Sequence, residues 1–97
     1  MTSRVNYLYP TVHFSLTADN HPGTLPRILA VFERAGLCPS LLKASQFVDG
    51  QTAVDIYTED LDDWLQERLY GKLSALVGIS HLRTEVILRA EPRKLAS

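Results

Sequence analysis

The stretch "VHFSLTADNHPGTLPRIL", residues 12–29, changes its hydrophobic period halfway along. Val12, Phe14 and Leu16 alternate with His13, Ser15 and Thr17, the period of two that marks a half-buried strand. From Gly23 the apolar positions become Leu25, Ile28, Leu29, Phe32 and Ala35, spaced three and four apart as one face of a helix requires. Pro22 and Gly23 punctuate the switch, and Pro26 falls in the first turn, where its missing N–H matters little. Gly36 then supplies the stop.

Downstream, "LLKASQFV" and "TAVDIYT" flank Asp49-Gly50-Gln51. An Asp-Gly pair between strand-like segments tolerates the positive φ of a tight turn, so strands two and three are expected as antiparallel neighbours. The stretch "EDLDDWLQERLYGKLSALVG" places Leu61, Trp64, Leu65, Leu69, Leu73 and Leu76 on one helical stripe. Its acidic residues crowd the start, where the macrodipole favours them, and Gly78 is expected to end it. Trp64 reads as core packing. Ile79 to Leu88 carries enough β-branched residues for a fourth strand. The order βαββαβ defines an α+β, ferredoxin-like sandwich: a four-stranded antiparallel sheet with two helices on one face and strands two and four at its edges. The expected division is an N-terminal extension over 1–9, one domain over 10–89 and a charged C-terminal tail over 90–97.

Ninety-seven residues make one small domain. Ten basic and eleven acidic residues, scattered along the chain, give a net charge of -1 and no basic block for nucleic acid or anionic lipid. No apolar run approaches the roughly 18 residues of a membrane span, and the first ten residues lack the apolar core of a secretory signal, so a cytoplasmic protein is expected. The single cysteine, Cys38, excludes an intrachain disulfide and reads as a small buried thiol. His13, His21 and His81 have neither the spacing nor the cysteine partners of a metal site or nucleophilic triad. No Gly-rich phosphate loop is present, the third strand lacks the aromatics of an RNA-binding sheet, and "DNHPG" lacks the arginine that acyl-phosphate hydrolysis would need. No catalytic residue, cofactor or metal is therefore expected on this chain. One sheet face stays uncovered, with His13, Ser15 and Thr17 on it, so a homodimer through the sheet edge or face is expected, with the second strand as the better edge.

At the start of the first helix the residues leave two readings open. Asp19 or Asn20 caps the helix and nothing binds. Alternatively, the amides of Gly23, Thr24 and Leu25, which lack intrahelical acceptors, hold a carboxylate, with Gly23 allowing close approach.

Asp19-Asn20-His21-Pro22-Gly23-Thr24-Leu25, followed by Ile28, Phe32 and Gly36, resembles the opening D/N-x-P-G-x-L of the ACT-domain family over about residues 10–86. Within that family, "GTLPRILAVFERAGL" and "KLSALVGISHL" are most similar to the short, single-domain small regulatory subunits of acetohydroxyacid (acetolactate) synthase, a thiamine-dependent enzyme of branched-chain amino acid biosynthesis. The resemblance implies a non-catalytic subunit that activates a large catalytic partner and binds an amino-acid effector. It places effector contacts at Asp19, Asn20, Gly23, Thr24 and Leu25. It also implies a contact across the dimer interface at position 38, where many relatives carry Asn in G-x-N-I. Cys38 cannot supply an amide's paired donor and acceptor, so weak or lost effector binding is expected. A free-standing amino-acid sensor that regulates another enzyme or transporter is the alternative, and a small enzyme using the open sheet face is a third.

Overall fold

The structure, a computed structural model, describes residues 7–47 and 49–91, with side chains described for 10–47 and 49–87. Its elements are β1 (Tyr7–Asp19), α1 (Thr24–Arg34), β2 (Leu41–Gln46), β3 (Gln51–Glu59), α2 (Asp63–Ser74) and β4 (Ile79–Glu91). The sheet order is β2-β3-β1-β4 and every pairing is antiparallel. This is the ferredoxin-like α+β sandwich that the period changes imply, with β2 and β4 at the edges.

One sheet face supplies Val12, Phe14, Leu16, Ala18, Val54 and Ile56 to the core, and the helices answer with Ile28, Val31, Phe32, Leu69 and Leu73. Phe14 and Phe32 meet edge to face, their centroids 5.6 Å apart at 83°, an arrangement the ring quadrupoles favour. The β2–β3 turn forms as expected. The Phe47 N–H donates to the Gln51 carbonyl at 2.7 Å, the Gly50 N–H donates to the Phe47 carbonyl at 3.3 Å, and Gly50 takes φ +83°. Val48, the last residue of the expected second strand, lies outside the described residues. Gly36 and Leu37 close α1 by donating back to the carbonyls of Glu33 and Phe32 at 3.0 and 2.9 Å, the paired bonds of a Schellman ending.

Several expectations are corrected. Leu29 is 42% exposed and Ala35 is exposed. The face of α1 that meets the core runs through Thr24, Ile28, Val31 and Phe32, so Val31 occupies the place expected of Leu29. Trp64 is 67% exposed and does not pack in the core. Leu61, Leu65, Leu69 and Leu73 already form a continuous row at spacing four, and Trp64 sits one position, or about 100°, away from it. Its ring is covered instead by the Arg68 guanidinium, 5.4 Å from the centroid. Helix α2 ends at Ser74, with Ala75 as its C-cap, and Gly78 is not its stop but the first partner of β1, its carbonyl accepting the Asp19 N–H at 2.9 Å.

The expected domain limits also shift. Residues 7–9 and 90–91 are not loose ends, because β1 and β4 pair from Tyr7↔Glu91 inward, beyond the point where β3 stops at Thr11↔Glu59. This two-stranded ribbon stretches the molecule to 49 × 28 × 19 Å. The remainder of the expected extension and tail, 1–6 and 92–97, lies outside the described residues. Among the described residues no helix is long and apolar enough to cross a membrane.

The acidic start of α2 has a specific role for one residue. Asp62 is the N-cap, and its Oδ1 accepts the Leu65 N–H at 2.8 Å. Asp62→Ala is expected to lower stability by about 1 kcal/mol, read as a lower urea midpoint, with Asp62→Asn retaining most of the difference.

Candidate functional site

The β1–α1 junction forms one wall of a groove of about 310 Å³, completed by β2 and β3. Asp19, Asn20, Thr24 and Leu25 line it, so four of the six residues singled out from the sequence come together. Three things hold the junction in shape. The Asp19 N–H donates to the Gly78 carbonyl, the Asn20 N–H donates to the Gly50 carbonyl at 3.1 Å, and the His21 N–H folds back onto the Asp19 carbonyl at 2.8 Å.

The helix start differs from both readings of the sequence. Neither Asp19 nor Asn20 caps α1; the N-cap is Gly23, at φ −84°, a backbone conformation open to any residue. The Gly23 N–H donates to His21 Nδ1 at 3.1 Å and the Thr24 N–H donates to the His21 carbonyl at 3.0 Å. His21, which the sequence reading left without a role, therefore takes two of the three amides expected to face an anion. The turn through Pro22 brings both its ring and its carbonyl back to the helix end. Of the three, the Leu25 N–H has no acceptor among the described residues.

Thr24 adds a second unsatisfied group. It is buried, it lines the groove, and its Oγ1 has no hydrogen-bond partner. A buried hydroxyl without a partner carries a desolvation penalty of roughly 1–3 kcal/mol, so its presence beside a groove calls for a reason. Across the groove, Gln46 Nε2 donates to Asn20 Oδ1 at 3.0 Å; outside it, Gln51 Nε2 donates to Asp19 Oδ1 at 3.4 Å. Ala18, Ala44 and Leu25 supply a small apolar surface between these polar groups. The helix side of the groove thus carries an amide N–H and a buried hydroxyl without partners, and the β1 side carries the Asn20 amide oxygen.

Gln46, Ala44 and Thr52 were not singled out from the sequence. The hairpin at Gly50 sets Gln46 opposite Thr52, and β3 lies beside β1 in this topology, so the register places them at the same sheet end as Asn20. That signal is present in the Asp-Gly turn but needs the strand order to be used.

Cys38 is not brought to the groove within one chain. It follows the other end of α1, whose 11 residues span roughly 16 Å. It is exposed rather than buried, with a single 3.8 Å contact from Sγ to the Pro39 carbonyl. The four residues between Gly36 and β2 run over the surface and give the thiol no core to enter.

The uncovered sheet face carries a polar cluster that no local motif signals. His13 Nε2 lies 2.7 Å from Asp55 Oδ1, its Nδ1 lies 3.7 Å from Glu85 Oε1, and its ring stacks on Tyr57 at 4.3 Å, within 3° of parallel. The register His13↔Tyr57 and His13↔Glu85 accounts for it. His81 lies apart, exposed, at an irregularity of β4 opposite Leu16, in the left-handed region at φ +55°. Among the described residues no group of three His, Cys, Asp or Glu side chains is arranged to hold a metal ion.

The fold and groove define a small ferredoxin-like α+β domain with a polar cleft at its β1–α1 junction. No protein-family model matches the chain, and no curated protein matches it. Among solved structures it is similar to an uncharacterized protein of Thermotoga maritima, with a TM-score of 0.62 and 10% sequence identity over 82% of this chain and 96% of that one. At that identity the likeness establishes the shared fold alone.

Proposed function

We propose that the chain is a non-catalytic ACT-type regulatory subunit that binds an amino acid at the β1–α1 groove and activates the large subunit of acetohydroxyacid synthase. The observation that carries this reading is the pair of unsatisfied groups at the start of α1, the Leu25 N–H and the buried Thr24 Oγ1, on residues that line one groove with Asp19 and Asn20. An amino acid carries groups that suit such a groove: its carboxylate meets the helix end, where the dipole favours an anion, and its ammonium meets the Asp19–Asn20 side. The side chain rests on Ala18, Ala44 and Leu25, whose limited area suits a small aliphatic group. Two copies pair through the β2 edge, where the exposed Leu41 and Phe47 flank an unpaired ladder. In that dimer a second copy supplies Cys38. The thiamine, magnesium and flavin chemistry resides on the large partner.

Calorimetry with valine, leucine and isoleucine, together with the rate of the large subunit with and without this chain, tests the reading. Stimulation is the expected result, and its absence overturns the assignment to this synthase. Amino-acid binding without stimulation favours a free-standing sensor. Thr24→Val separates ligand recognition from folding because it removes only the hydroxyl. The free protein is expected to gain about 1 kcal/mol in stability as a buried unsatisfied group disappears. Affinity for the amino acid is expected to fall about tenfold, the loss of one hydrogen bond to a charged group. A variant that binds as well as the parent rules the hydroxyl out of the site.

A further inference from the structure

A second groove, of about 110 Å³, opens between α1 and α2. Val31, Leu65 and Leu69 form its floor, and Arg34, Arg68 and Lys72 stand around it. Trp64, Arg68 and Lys72 lie at spacing four on α2, so the exposed indole and two cations form one ridge beside the opening. None of the three cations forms an ion pair among the described residues. Arg34 and Lys72 complement the dipoles of the helix ends they occupy, but Arg68 is in mid-helix and one turn from Lys72, where like charges weaken a helix. Arg68 is therefore the cation of the three whose contact in the free chain is the Trp64 ring and not a helix end or a carboxylate.

The size and surroundings of the groove select the kind of anion. Its volume is well below the roughly 300 Å³ at which small-molecule pockets begin, and suits a single apolar side chain. Asp63 and Glu67 occupy the neighbouring row of α2, so an extended polyanion laid along this helix meets carboxylates as well as cations. An exposed tryptophan stacked under an arginine is the composition of a protein-binding hot spot.

We propose that this groove is the docking surface for an acidic segment of a protein partner, one that inserts an aliphatic side chain between α1 and α2 and sets flanking carboxylates on Arg34, Arg68 and Lys72. The inference deepens the regulatory reading by naming the surface through which this chain engages its partner, and it rests on that reading for the partner's identity alone.

Trp64 is the only tryptophan, so its emission reports directly on the ridge. The test titrates the full chain with a synthetic peptide of sequence Glu-Glu-Leu-Leu-Glu-Glu, a control with Ser for each Leu, heparin, and phosphatidylglycerol vesicles. A saturable blue shift with the leucine peptide is expected, weakened by salt. The Ser control and the R34E/R68E/K72E variant are each expected to bind at least about tenfold more weakly. The variant is expected to keep its fold by circular dichroism, since all three side chains are on the surface. Absence of a saturable shift, undiminished binding by the variant, or tighter binding of heparin or vesicles than of the leucine peptide overturns the proposal. With the large subunit, the variant is expected to lose stimulation while retaining amino-acid binding; retained stimulation overturns docking at this groove. If the unmodified chain fails to stimulate, the regulatory assignment falls, and the peptide titration decides the groove by itself.

Discussion

Phe32→Ala is expected to lower stability by about 3–5 kcal/mol, the largest single effect in this molecule. Phe32 is fully buried at the centre of the α1 face and meets Phe14 edge to face at 5.6 Å. Truncation removes its burial, its share of the aromatic pair and the packing of Ile28 and Val31 beside it, and leaves a void that the sheet cannot collapse into. Strand β1 is held on both sides, by β3 and by β4, so Phe14 has no freedom to follow. Small domains have a total stability of about 5–15 kcal/mol, and a loss of this size takes a large share of it. The measurement is urea denaturation followed by circular dichroism. A shift under about 1 kcal/mol would mean that the helix layer repacks and that the pair does not anchor it. Phe32→Leu, which keeps most of the volume, is expected to lose less than half as much.

The parts of the fold that were legible in the sequence are those decided by neighbours along the chain. The alternation through residues 12–17, the spacing from Leu25 to Phe32, the Gly36 stop and the Asp49-Gly50 turn each follow from the backbone's own periods and dihedral limits. What failed was the choice between adjacent rows of one helix. Leu29 and Trp64 are apolar, sit next to a buried Ile28 and a partly buried Leu65, and are exposed because α1 and α2 each present a narrower stripe than the sequence allows. Composition cannot separate Trp64 from Leu65; only the docking angle of α2 on the sheet does.

The site divides in the same way. Asp19, Asn20, Thr24 and Leu25 are contiguous in sequence and contiguous in the groove. Gln46 and Thr52 arrive from the hairpin, and their place depends on β3 lying next to β1. The capture of two helix amides by His21 depends on a side-chain rotamer and a carbonyl turned back across Pro22. No spacing rule expresses that. Thr24 was chosen for its backbone N–H, whereas its unpartnered hydroxyl is the group that draws attention to the groove.

Gly78→Val is expected to be the second most damaging change and links the fold to the site. Gly78 sits at φ +88°, a region that a β-branched residue scarcely enters. A Cβ there would fall 3.1 Å from Asp19 Oδ2 and 3.5 Å from its Cγ, while the Gly78 carbonyl holds the Asp19 N–H. The left-handed conformation alone costs about 1–2 kcal/mol for a residue with a side chain, and the Asp19 carboxylate must also rotate away, giving up its contact with Gln51 Nε2. A total of about 2–3 kcal/mol corresponds to a melting temperature lowered by roughly 10–20 °C in a domain of this size. Gly78→Asn divides the two causes, because Asn tolerates positive φ yet still carries a Cβ against Asp19. If backbone strain dominates, the Asn variant melts close to the parent. If contact with Asp19 dominates, Asn and Val fall together. A valine variant that melts with the parent would place Gly78 outside the constraints on this corner, and the junction that forms the groove wall would then rest on the Asn20 and His21 hydrogen bonds alone.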